Sequence, residues 1–171
     1  MIHSPSAVSS DFSWTSLPRN HGYEIRQQGE VTGTLLRPGP TSCDFLAETG
    51  QGKWIFRRSG FLGTNAAILE METHRIVATF SPSWRMQGVL SFVDGTVFHV
   101  ECKGVWHPVW SISRDNREVI LSLHAQEQII ERRALPDISE ERFMILAMFA
   151  LSRILQAEED AASAAIVAVV Y

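Results

Sequence analysis

Three residues in one short stretch could bind a transition metal: His99, Cys102 and His107. Imidazole and thiolate are ordinary zinc ligands. The spacing works against it. Side chains alternate along a strand, so in TVFHVEC Phe98, Val100 and Cys102 share one face while His99 and Glu101 take the other. His99 and Cys102 could meet one ion only across a bulge. Cys102 reads instead as a small buried apolar residue, and no metal site is expected. Cys43 is a thiol without a local nucleophile signature. The chain contains no G-x-S-x-G elbow, no phosphate-cradling glycine loop and no zincin pair. Gly50-Gln51-Gly52 reads as a hairpin turn, because no helical pattern follows it. These motifs predict neither a catalytic residue nor a cofactor.

Two constellations suit binding rather than reaction. In KWIFRR, Lys53 and Arg57 share a face, Trp54 and Phe56 take the other, and Arg58 stands near the strand end. Lys53, Arg57 and Arg58 are candidate contacts for an anionic headgroup or phosphate. The competing reading is a solvated face that blunts edge pairing. Trp106 and Trp110 flank His107-Pro108. They are candidate rim aromatics at the opening of a barrel, or equally a hydrophobic plug.

The elements that must carry these residues are legible as a rhythm of turns. QQGE around Gly29, TGQG around Gln51, ETHR around Thr73, VDGT around Asp94 and RDNR around Asp115 recur at spacings of 22, 22, 21 and 21 residues. Short runs with strand chemistry flank each one, such as KWIFRR, AAILEM, RIVATF, TVFHV and EVILSL. Asp94-Gly95 is the best single hairpin signal, since such residues tolerate positive φ. A period near 21 holds one hairpin, half of what a propeller blade needs. Five hairpins give ten strands. Phe12–Leu17 and Gln128–Arg133 would bring the count to about twelve. So long an antiparallel meander closes or splits, because open edges invite aggregation.

After the strands comes a helix signal. Pro136-Asp137-Ile138-Ser139-Glu140 holds two competing caps, Asp137 with Glu140 three residues on, and Ser139. Good helix formers continue, giving a helix over about 138–158. Between Arg142 and Arg153 lie ten residues, apolar on every side from Phe143 to Leu151. They span roughly 15 Å, half a bilayer's hydrocarbon core, so a transmembrane span is not expected. A surface helix would need a polar face. The expected fold is mainly β, an antiparallel barrel of about twelve strands around a central hydrophobic C-terminal helix. Residues 1–10 read as a flexible arm, 11–160 as one domain, and 161–171 as an apolar tail, either a further strand or more helix.

The chain has 171 residues, 45% of them hydrophobic and 20% charged, with a net charge of −4. This suits one soluble domain and argues against a general nucleic-acid binder. Two cysteines and the lack of a signal-peptide pattern make the cytoplasm the expected compartment.

YEIRQQGEVTGTL, GKWIFRRSGFLGTNAAILEMETHRIVATF and GVLSFVDGTVFHVECKGVWHPVWSISRDNREVILSL, ending in the apolar helix, resemble the tubby C-terminal-like superfamily over roughly residues 12–155. That superfamily includes the LURP-one-related proteins and the phospholipid scramblases. Tyr23, Gly29, Trp54, Gly95 and Trp110 are the recurrent-looking points. The resemblance implies a twelve-stranded barrel around a central helix. Tubby proteins bind phosphoinositides through basic residues, whose positions are not matched here. The scramblase cysteine cluster and calcium segment are absent from the sequence. The expected function is a non-enzymatic binding module for anionic membrane lipid or a protein partner, peripheral at the membrane. The alternatives are a hydrolase-like enzyme with its site at a barrel rim, and a structural or oligomerisation domain. Oligomeric state stays open.

Overall fold

All five turn signals are hairpin connections. A computed structural model describes residues 8–20, 22–39, 41–59, 65–84, 87–115, 117–133 and 135–170. It contains twelve strands: β1 (Val8–Ser16), β2 (Gly22–Gln27), β3 (Glu30–Leu36), β4 (Asp44–Thr49), β5 (Gly52–Ser59), β6 (Asn65–Glu70), β7 (Ile76–Pro82), β8 (Gly88–Phe92), β9 (Val97–Lys103), β10 (Val109–Ser113), β11 (Val119–His124) and β12 (Ile129–Arg133). One long helix follows, α1 (Glu140–Val170). Each strand pairs antiparallel with its neighbours in sequence, and β1 pairs with β12, so the sheet closes into a barrel. Closure removes every free edge.

The turns differ in their chemistry. Gln28 and Gly29 both take positive φ, at 51° and 90°, and join β2 to β3 as a two-residue loop. At the turn of Asp94 only Gly95 has positive φ. Asp94 instead accepts a hydrogen bond from the Thr96 amide at 2.9 Å and shapes the loop with its side chain.

β1 starts at Val8, whose backbone partners Arg133. Residues 8–10, expected in the arm, therefore help close the barrel, because β12 needs a partner on its free side. Residues 1–7 lie outside the described residues. At the helix start the cap is Ser139, not Asp137: its Oγ accepts from the Arg142 amide at 3.1 Å. Asp137 is held by Arg114 at 2.5 Å. The helix also runs past the expected end at 158, through the tail to Val170. Ala161–Val170 contains no Gly or Pro to stop it.

The helix fills the interior. Phe143 through Leu151 are all buried, and strands contact them from several sides. Phe12 of β1 lies 5.1 Å from Phe143, and Phe56 and Phe80 lie 6.2 Å and 5.1 Å from Phe149, centroid to centroid. Gly33 of β3 makes room for Met144 and Met148. A Cβ there would stand 2.3 Å from the Met148 Cε. Each large apolar side chain buried this way contributes ~1.5–3 kcal/mol gross. No helix among the described residues is long and apolar enough to cross a membrane. On the outer face, Glu48, Lys53, Arg57, Thr79, His99 and Glu101 are at least partly exposed. A transmembrane barrel would carry an apolar band there and a polar lumen.

Candidate functional site

A filled barrel offers its outer wall and two rims. Successive hairpins place the β2–β3, β4–β5, β6–β7, β8–β9 and β10–β11 turns on one rim, where α1 enters. Arg142 of the helix donates to Asp94 of the β8–β9 turn at 2.6 Å, and Arg132 of β12 donates to Glu140 at 2.6 Å. The other connections share the opposite rim, where the helix leaves. There Tyr23, at the start of β2, donates its hydroxyl to Glu158 at 2.7 Å. Burial first, then that hydrogen bond, pushes the Tyr23 phenol far above its ordinary range.

The three predicted cations do not act together. Lys53 and Arg57 point outward, directly opposite Glu48 and Asp44 on β4. Lys53 pairs with Glu48 at 3.0 Å and Arg57 with Asp44 at 3.1 Å. Such cross-strand pairs stabilise the sheet modestly. Arg58 belongs to the other face: continuing by twos from Trp54 and Phe56, it turns inward at the exit rim. Its Cζ stands 5.9 Å from the Phe45 centroid.

Two further arginines lie at this rim: Arg37, not singled out in the sequence, and Arg153, read there only as a bracket of the apolar run. Arg37 follows β3 in the inward series Gly33, Leu35, Arg37, and stands 5.2 Å from the same Phe45 ring. Arg153 of α1 lies 5.0 Å from the Phe80 ring. It donates to Gln156 at 2.6 Å. Burial lowers the Arg153 pKa, the charge of Arg58 lowers it further, and Asp160 opposes both. Arg37 forms an ion pair with Glu159. Among the described residues the Nε atoms of Arg37, Arg58 and Arg153 are nonetheless buried without an acceptor. A buried donor left so costs about 1–3 kcal/mol, more when charged. Beside Arg153, Gln156 and Asp160 a pocket of about 220 Å³ opens toward Pro82 and Trp110.

The two predicted tryptophans also part. Trp110 is buried and walls this pocket. Trp106, in the β9–β10 connection, is 89% exposed, and its neighbour Val105 90%. Trp84, in the adjacent β7–β8 connection and not foreseen, is 79% exposed. All three lie on the exit rim, where the helix carries Ala161–Val170 beyond the Tyr23–Glu158 bond.

A groove of about 540 Å³ crosses the outer face of β8–β11. His99 there meets Asp115 at 2.7 Å, and Ser113 stands opposite His99 in the ladder. No hydrogen bond joins Ser113 to His99, and His99 and Asp115 are both exposed, so the three do not form a nucleophile–base relay. Cys102 faces the core and its thiol pKa is raised by burial. Cys43 and His107 are exposed. Among the described residues no three His, Cys, Asp or Glu side chains group as metal ligands. No family model, curated protein or solved structure matches the chain.

Proposed function

We propose that the barrel is a non-enzymatic binding module that docks by its helix-exit rim on an anionic membrane surface, peripherally and from the cytoplasmic side. The observation that carries this reading is the grouping of Trp84, Val105 and Trp106, 79–90% exposed, on two adjacent connections of one rim. Exposed apolar clusters mark interaction surfaces, and tryptophan favours the boundary between headgroups and acyl chains. The inward cations of the same rim complement anionic headgroups. The twelve-stranded barrel around a helix is also what the resemblance to the tubby C-terminal-like superfamily implies, which supports membership there.

Flotation with phosphatidylcholine vesicles, with and without anionic lipid, tests the proposal. The chain floats with anionic vesicles at low salt, and Trp84→Ala/Trp106→Ala sinks several-fold more while its circular dichroism stays unchanged. A wild-type chain that never floats refutes membrane docking and leaves a protein partner as the occupant of the rim.

A further inference from the structure

We infer that the exit-rim pocket beside Trp110 is a binding site for a small free α-amino acid with an apolar side chain. The helix supplies both charges it needs. Arg153, Gln156, Ala157 and Asp160 recur at helical spacing and so share one face of α1, and all four line the same cavity of about 220 Å³. Pro82 and the buried Trp110 close it from the strand side. The two charges do not meet. Arg153 donates to the neutral Gln156 at 2.6 Å, and neither Arg153 nor Asp160 forms an ion pair among the described residues. By contrast Arg37, on the same rim, pairs with Glu159, and Arg142, at the other end of the apolar run, pairs with Asp94.

A half-buried cation and an unpaired anion in one cavity are complementary to a ligand that carries both charges. The bond to Gln156 turns the Arg153 guanidinium along the face that leads to Asp160. The gap between the charges therefore lies between one and two turns of helix, about 5.4–11 Å. Two charge-assisted contacts of about 2.8 Å, with one α-amino acid between them, span such a gap. The carboxylate meets Arg153, the ammonium group meets Asp160, and the side chain lies toward Trp110, Pro82 and Ala157. A plain carboxylate would leave Asp160 unmet, and a plain amine would leave Arg153 unmet. Size points the same way. Pockets for drug-sized ligands run to about 300–1,000 Å³, so 220 Å³ suits a smaller molecule than a nucleotide or an oligopeptide. The site does not rest on the membrane reading above, because none of its contacts uses Trp84 or Trp106.

Calorimetric titration of the full chain with L-leucine, in the absence of lipid, tests the site. The wild type should bind it. Leucinamide lacks the carboxylate and isocaproate lacks the ammonium group. Each should bind about tenfold more weakly or worse, having lost one charge-assisted contact. Arg153→Gln and Asp160→Asn should each raise the Kd for L-leucine by about the same factor, while Arg57→Gln, on the outer wall, leaves it unchanged. The crosswise pairs are diagnostic: Asp160→Asn should not weaken isocaproate further, and Arg153→Gln should not weaken leucinamide further. Circular dichroism confirms folding. Asp160 is exposed, so Asp160→Asn carries the test if Arg153→Gln does not fold. The site is overturned if the wild type binds neither L-leucine nor L-valine, if either folded variant binds L-leucine as Arg57→Gln does, or if isocaproate binds as tightly as L-leucine.

Discussion

Asp94 joins two jobs in one carboxylate. It shapes the β8–β9 turn through Thr96, and it fastens the helix start through Arg142, whose guanidinium stacks 3.8 Å from the Phe92 centroid. The Arg142 bond, with help from Thr96, holds the Asp94 carboxyl well below the usual carboxylate range. A depressed folded pKa contributes stability above the unfolded value, about 3.9, and loses it as pH falls through the folded value. Asp94→Asn keeps the turn geometry and removes the charge. It should lower stability at neutral pH by less than about 1 kcal/mol, since the pair is exposed. The gap to wild type should begin to narrow below about pH 4 and close only once the pH is below the depressed folded value. Urea midpoints at neutral and acidic pH check this; a gap independent of pH would mean the pair adds nothing. Other single residues were legible only where local alternation governs them. The opposite faces of His99 and Cys102 follow from counting by twos. So does the inward turn of Arg58, once the count runs through the strand end rather than stopping there. Arg37 and Arg58 lie 21 residues apart and meet over Phe45 of the intervening strand, which no local pattern shows.

The helix was the most readable element, because an apolar run without a polar face has few places to go. Its entry cap was ambiguous in sequence and was decided by Arg114, which draws Asp137 away and leaves Ser139 to satisfy the first turn. Its far end was not readable, since nothing in an alanine-rich stretch distinguishes a helix that must stop from one free to continue. The central segment should bear the fold. Leu146→Asp should abolish folding outright, by forcing a carboxylate into the dry interior. Leu146→Ala should leave a folded barrel weakened by about 2–5 kcal/mol. Circular dichroism and chemical denaturation distinguish these outcomes. A Leu146→Asp chain that stays folded would place the helix outside the wall.

At the scale of the molecule, one interior serves all twelve strands, and the last closes on the first. No part of the sheet has a core of its own. Unfolding should therefore be a single transition. Emission from the buried Trp14, Trp54 and Trp110, sensed together with the rim tryptophans, should change with the same urea midpoint as far-UV circular dichroism. Separate midpoints would mean that some hairpins survive without the helix. The hairpin rhythm made the barrel legible. It did not show which residues crowd each rim, because a rim collects positions from every second connection along the chain.

The arginines that bracket the apolar run have a mechanical consequence. Arg142 sits over Phe92 at the entry, Arg153 over Phe80 at the exit, and nine buried residues, Phe143 to Leu151, lie between. Sliding the helix by one turn, about 5.4 Å, in either direction would drag a guanidinium into the apolar interior. The helix is therefore bolted at both ends. It cannot work as a piston, and a tug on the C-terminal end of α1 is resisted by the far mouth as well as the near one. Force applied there should meet a stiff element that yields only when the wall around it opens.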